Sequence, residues 1–273
     1  MSVELKKLIP RWAVFFVVAV ALVWSLLIPR KSDFPGTSVV KGVYDRIDAL
    51  PAGSPVLISS DFDPGSEAEM EPMLRAVLAH CWRKKLRVVV MTLCSPNSMP
   101  LARRIVTEAA ATHGAVEGTD YALMNFKAGA SAAILALGQS WAQVYPVDLN
   151  GTKISEIPAM KGITKLTDFP YALCIASVNT ADSWVLAGNA RYGLNVGIGC
   201  TAVSATDYYP YLNSKQITGL IGGLAGAAQY ESLVKEPGDA SAKMPTQSVI
   251  HVTIVLLIVI GNILHFVAKW RKS

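Results

Sequence analysis

Residues 86–93, Leu-Arg-Val-Val-Val-Met-Thr-Leu, read as a strand that is apolar on both faces apart from Arg87. A strand buried on both sides belongs to a parallel sheet covered by helices. The stretch before it agrees. Met70, Met73, Leu74, Val77, Leu78 and Cys81 recur at i, i+3, i+4, i+7, i+8 and i+11, one apolar helical stripe, with Glu71, Arg75 and Arg83 off it. Pro72 falls in the first turns, where its missing N–H does least harm. Ser66 stands three residues before Glu69, the spacing of a capping box. Asp61-Phe62-Asp63-Pro64-Gly65 is turn chemistry, and 56–60 before it is a short apolar run ending in small polar residues. Strand, helix and strand then form one right-handed βαβ unit.

The alternation continues. Residues 99–113 predict a helix with Ser98 as its cap and Gly114 as its stop, and 121–126 a third strand. A helix to about 144 follows, then an excursion over 145–169 carrying an Asn150-Gly151 hairpin signal. Residues 171–177 and 195–201 predict the fourth and fifth strands, with a helix over 180–192 between them. A polar aromatic loop spans 202–213, and 214–233 reads as a last helix. Gly219, Gly222, Gly223 and Gly226 sit in its middle as small-xxx-small pairs, which admit another backbone closely, within the domain or from another subunit. The expectation is a three-layer doubly wound α/β domain over 55–234, with about five mostly parallel strands.

Two stretches explain why 52% of the chain is hydrophobic. Residues 12–28 and 249–268 carry no formal charge if their histidines are neutral, and each is long enough for a transmembrane helix. No small-x-small cleavage site follows the first, so it reads as an uncleaved anchor. The organisation expected is a basic tail (1–11), a span (12–28), a linker with an amphipathic helix (29–54), the α/β domain (55–234), a linker (235–248), a second span (249–268) and a basic tail (269–273). The net charge of +5 belongs to the tails, because 30–248 carries 19 basic and 19 acidic side chains. A neutral domain gives no reason to expect nucleic-acid binding. Basic tails beside spans place both termini in the cytoplasm and the domain outside it, in the cell (inner) membrane; Arg30 and Lys31 argue the other way. Asn262, inside the second span, reads as an interhelical hydrogen-bonding residue. Of four cysteines, Cys81, Cys174 and Cys200 read as buried and Cys94 as exposed after its strand.

In such a fold ligands bind at the carboxyl ends of the strands. Ser66, Ser95, Asn179, Thr201 and Ser204 lie there and could receive a ligand, although helix caps need the same residue types. No Walker loop is present, Gly197-Ile198-Gly199 is an incomplete dinucleotide fingerprint, and His80 and His113 lie on helices away from Cys94 and Cys200. Asp61-Phe62-Asp63 after an apolar strand resembles the first motif of the haloacid-dehalogenase-type phosphohydrolases. The resemblance implies Asp61 as nucleophile and Asp63 as acid/base, with Thr92 and Lys127 answering the second and third motifs and magnesium as cofactor. It covers these few positions, and the later acidic pair of that family is missing: 177–182 holds one acid, Asp182.

Two classes of function follow. One is a non-catalytic structural or interaction subunit of a larger membrane assembly, in contact with lipid and with other subunits or further copies of itself, and without a cofactor. The other is a membrane-tethered phosphohydrolase or small-ligand-binding domain working around Asp61 and Asp63.

Overall fold

The computed structural model describes residues 10–27 and 34–270. The chain divides into two compact units: Phe34–Ala240, and the two terminal segments Met1–Asp33 and Ser241–Ser273.

The larger unit is an α/β domain around six parallel strands: β1 (Pro55–Asp61), β2 (Arg87–Met91), β3 (Tyr121–Leu123), β4 (Tyr171–Ala176), β5 (Val196–Cys200) and β6 (Leu220–Gly222), in the order β3-β2-β1-β4-β5-β6. Strand order reverses between β1 and β4, whose register sets Ser59 opposite Cys174 and Asp61 opposite Ala176. The central strands are buried on both faces. One layer holds α2 (Ser38–Asp48), α3 (Glu67–Arg83), α4 (Ser98–His113) and α9 (Gly223–Val234). The other holds α5 (Ala130–Leu137), α6 (Trp141–Val144), the helical segment α7 over 180–192, whose middle turn Trp184–Asn189 is π-helical, and α8 (Ala205–Asn213). Leu57, Val89, Met91, Ala172 and Cys174 pack toward this second layer with Trp141 and Tyr145. Alternation along β1 turns Ser59 and Asp61 the same way as Leu57.

Several expectations change. The sheet has six strands, because β6 lies inside the stretch expected as one helix. That stretch is a strand followed by α9, and its glycines serve contacts within the domain. A Cβ on Gly219 would lie 2.4 Å from the Val43 backbone nitrogen, and one on Gly42 2.2 Å from the Thr218 carbonyl oxygen, so α2 crosses the chain entering β6 at backbone contact. Gly223 has φ +57, and Gly226 packs on Ile221. Gly199, on β5, leaves room for the Met73 sulfur of α3, which is packing and not a dinucleotide turn. The helix expected to run to 144 breaks into α5 and α6, β3 is three residues long, and the loop over 202–213 contains α8. The Asn-Gly turn forms on a single antiparallel bridge, Val147 to Lys153, with Asp148 accepting the Asn150 and Thr152 amides. The expected capping box is absent, since the Ser66 hydroxyl donates to the Asp63 carbonyl.

The terminal segments supply α1 (Arg11–Leu27) and α10 (Asp239–Trp270). Among the described residues one helix, α10, is long and apolar enough to cross a membrane: 32 residues with a mean hydropathy of 2.4 over its most apolar window. The apolar α1 has 17 residues, so the expected pair of flanking spans is reduced to one helix of full spanning length. Residue 28 and the chain to 33 lie outside the described residues. Thr253, Leu256, Leu257 and Ile260 of α10 line a cavity of about 450 Å³ with α1 residues that include Val20 and Trp24. The second linker is shorter than expected, because α10 begins at Asp239. Its start is held by the buried Glu231 carboxylate, which accepts the Gly238 and Ala240 amides at 3.0 Å each. A carboxylate at a helix N-terminus meets otherwise unpaired N–H groups and the favourable end of the macrodipole.

Candidate functional site at the strand tips

Asp61 ends β1 at the point where strand order reverses, and its side chain is fully buried. Its Oδ1 accepts the Leu93 amide at 2.6 Å, the Cys94 amide at 3.2 Å and the Thr92 hydroxyl at 3.3 Å. Its Oδ2 accepts the Ser59 hydroxyl at 2.6 Å and the Cys174 thiol at 3.7 Å. These donors come from β1 itself, the adjacent β4 and the loop after β2. Burial pushes the Asp61 carboxyl up from its ordinary value, and the hydrogen bonds from Ser59, Leu93, Thr180 and Thr92 oppose that rise. The carboxylate is thus a cross-strand pin whose acceptor positions are filled from within the domain. A nucleophile in phosphoryl transfer needs an oxygen open to the substrate.

The other positions singled out by sequence are mostly used in local turns. The Asp63 Oδ1 accepts the Gly65 amide at 3.0 Å and the Ser66 hydroxyl at 3.4 Å, which orders the turn into α3. The Ser95 hydroxyl accepts the Asn97 amide, and Thr201 and Ser204 bond each other. Asn179 is exposed just before α7. The Lys127 amide donates to the Thr92 carbonyl, and its ammonium lies 5.4 Å from the centroid of the Tyr145 ring. Asp61, Thr92 and Lys127 therefore share one end of the sheet. The donor set for magnesium does not follow: among the described residues no three His, Cys, Asp or Glu side chains converge on a common point. With its oxygens occupied by N–H, O–H and S–H donors, Asp61 does not fit the role of a metal ligand.

Sequence reasoning placed Glu69 in a capping box; instead it closes the neighbouring tip. Its Oε2 accepts the Ala202 amide at 2.9 Å, tying α3 to the loop after β5. A Cβ on Gly223 would lie 2.9 Å from both Glu69 Oε2 and the Ala202 nitrogen, so three segments meet there at backbone distance. A carboxylate already occupies the amide a phosphate would use. Ser59 was missed, although its i, i+2 spacing to Asp61 places both on one strand face.

The histidines stand elsewhere. His80 is buried on the α2–α3–α9 side, with Nδ1 2.8 Å from the Tyr230 hydroxyl, Nε2 3.4 Å from Asp48 and its ring stacked on Tyr44. Burial lowers its pKa. His113 lies 3.3 Å from Glu236. Among the described residues neither histidine bonds a cysteine, and all four cysteines are free, three of them buried and Cys94 part-buried. Comparison of the chain with known protein families and with curated proteins finds no match in either.

Proposed function

We propose that this protein is a membrane-anchored, non-catalytic interaction subunit of a larger membrane assembly. The carrying observation is the state of the strand-tip crevice. Its one fully buried carboxylate, Asp61, is saturated by its own domain, and the adjacent tip is closed by Glu69. In this fold that crevice is where a substrate would bind. With it filled, the groups left for recognition are on the helices. α10 anchors the chain in lipid, and α1 serves as a second, shorter span beside it, with both termini in the cytoplasm of a cell whose inner membrane holds the protein.

The test is a broad phosphate-ester panel with magnesium, run on the full chain beside Asp61→Asn, together with the native mass of a mild-detergent extract. The reading expects no hydrolysis above background and a particle larger than one chain. Magnesium-dependent turnover that Asp61→Asn abolishes would install the second reading, a tethered phosphohydrolase, which the Asp61–Thr92 contact favours.

A further inference from the structure

We infer that the face of α10 turned away from α1 is a self-association seam, and that it packs against α10 of a second copy of this chain. The inference rests on the membrane reading above and names the partner which that reading leaves open.

Residues 249–268 contain four polar side chains: His251, Thr253, Asn262 and His265. Thr253 satisfies itself, its hydroxyl donating to the Val249 carbonyl at 2.8 Å, and it lies in the row facing α1. At about 100° per residue, the other three fall within an arc of roughly 60° on the opposite side of the helix. Ile258 shares that arc and Val255 lies about 20° beyond its edge, both 58% exposed. His251, Val255, Ile258, Asn262 and His265 are thus spaced by four, three, four and three residues. That is the spacing of the contact seam between two helices in a left-handed coil, with β-branched Val255 and Asn262 at equivalent positions of successive heptads.

The occupant follows from the chemistry of the amide. Hydrocarbon offers Asn262 neither donor nor acceptor. Among the described residues no hydrogen bond reaches its side chain, which is exposed. Among the described residues the other apolar helix of its unit, α1, lies on the far side. A carboxamide carries two donors and an acceptor, so it pairs with an identical group across a two-fold axis and satisfies both. An Asn at such a position also fixes register and copy number. The seam bears no acidic side chain and no fixed charge within 249–268, so a second copy meets it without like-charge repulsion.

The test uses the full chain, carrying Cys94→Ser to remove the part-buried thiol, reconstituted in phosphatidylcholine vesicles over a range of protein-to-lipid ratios. Single cysteines are placed on the seam (Val255→Cys, Ile258→Cys) and on the α1-facing row (Leu256→Cys, Leu257→Cys), and intermolecular disulfides are counted after mild oxidation. The seam positions are expected to cross-link at least about fivefold more than the row. Asn262→Val is expected to weaken dimerisation about three- to tenfold, and Asn262→Gln to restore it. Equal cross-linking at all four positions, or monomers at every ratio, would overturn the inference. So would a seam that cross-links in native membranes only to a different protein, although the assembly reading would then survive. Release of the chain by alkaline carbonate would instead remove the membrane reading itself.

Discussion

Asp61 and Asn262 are both polar side chains set among apolar ones, in two different regions of the molecule. At Asp61 the fold supplies five donors from β1 itself, β4 and the β2 loop, and the group is closed to anything outside. At Asn262 the helix exposes the amide and no described residue reaches it. A buried polar group is costly unless paired, and at Asp61 the chain meets that cost internally. On the proposed reading, recognition belongs to the helix and stability to the crevice. It also separates two kinds of polar residue that look alike in a sequence, those that finish a fold and those that await a partner.

The sharpest way to break the contrast is Asp61→Leu. It strips the acceptor from the Leu93 and Cys94 amides, and about 2–5 kcal/mol of domain stability is expected to go, read by urea unfolding of the full chain in detergent. A stability change below about 1 kcal/mol would show that Asp61 is not a pin. Next is Gly219→Ala. Its Cβ would meet backbone atoms of α2, which cannot swing aside, and a loss of about 1–3 kcal/mol is expected by the same assay. Gly261→Ala on α10, where a Cβ meets nothing within 4 Å, is the control and is expected to leave the midpoint unchanged.

Acidity sharpens the same comparison. The Asp61 carboxyl is raised above its ordinary value of 3.8, so the folded domain binds its proton more tightly than the unfolded chain. Its contribution to stability is therefore full below that ordinary value and declines as pH rises through the folded pKa. Asp61→Asn is expected to flatten this limb of a stability–pH curve. Glu71, on the outer face of α3, has the opposite sign. Burial disfavours its charge, but hydrogen bonds from Arg104 and Arg75 prevail and hold it down at about 2. Its contribution is present above the ordinary 4.5 and is lost as pH falls toward about 2. The smallest effect belongs to this outer network, in which Arg104 pairs with Glu67, Glu71 and Glu108. Arg104→Ala is expected to cost under about 1 kcal/mol at neutral pH and less in high salt.

Much of the fold was legible because β2, β4 and β5 are largely apolar on both faces and β1 opens on an apolar run, a signal that needs no partner to be read. β6 was not legible. Leu220-Ile221-Gly222 sits in a run of small residues with helical spacing, and it becomes a strand only by pairing Ile198 with Leu220 and Cys200 with Gly222. The early start of α10 depends on Glu231, whose carboxylate reaches it across a turn that the sequence presents as a linker. At the strand tips, Asp61 itself stood out, but its partners Leu93 and Cys94 are backbone groups 32 and 33 residues away, which no side-chain pattern reveals. The polar residues of the second apolar stretch could be counted from sequence. Their shared face follows from helical spacing, but that it is the face α1 leaves open required the position of α1.

The most direct measurement is the native mass of the full chain taken from its own membranes in mild detergent, across a dilution series. The account predicts a particle heavier than one 29.2 kDa chain that persists on dilution and loses mass when Asn262 is replaced by Val. A lone chain at every concentration, unchanged by that substitution, would contradict it.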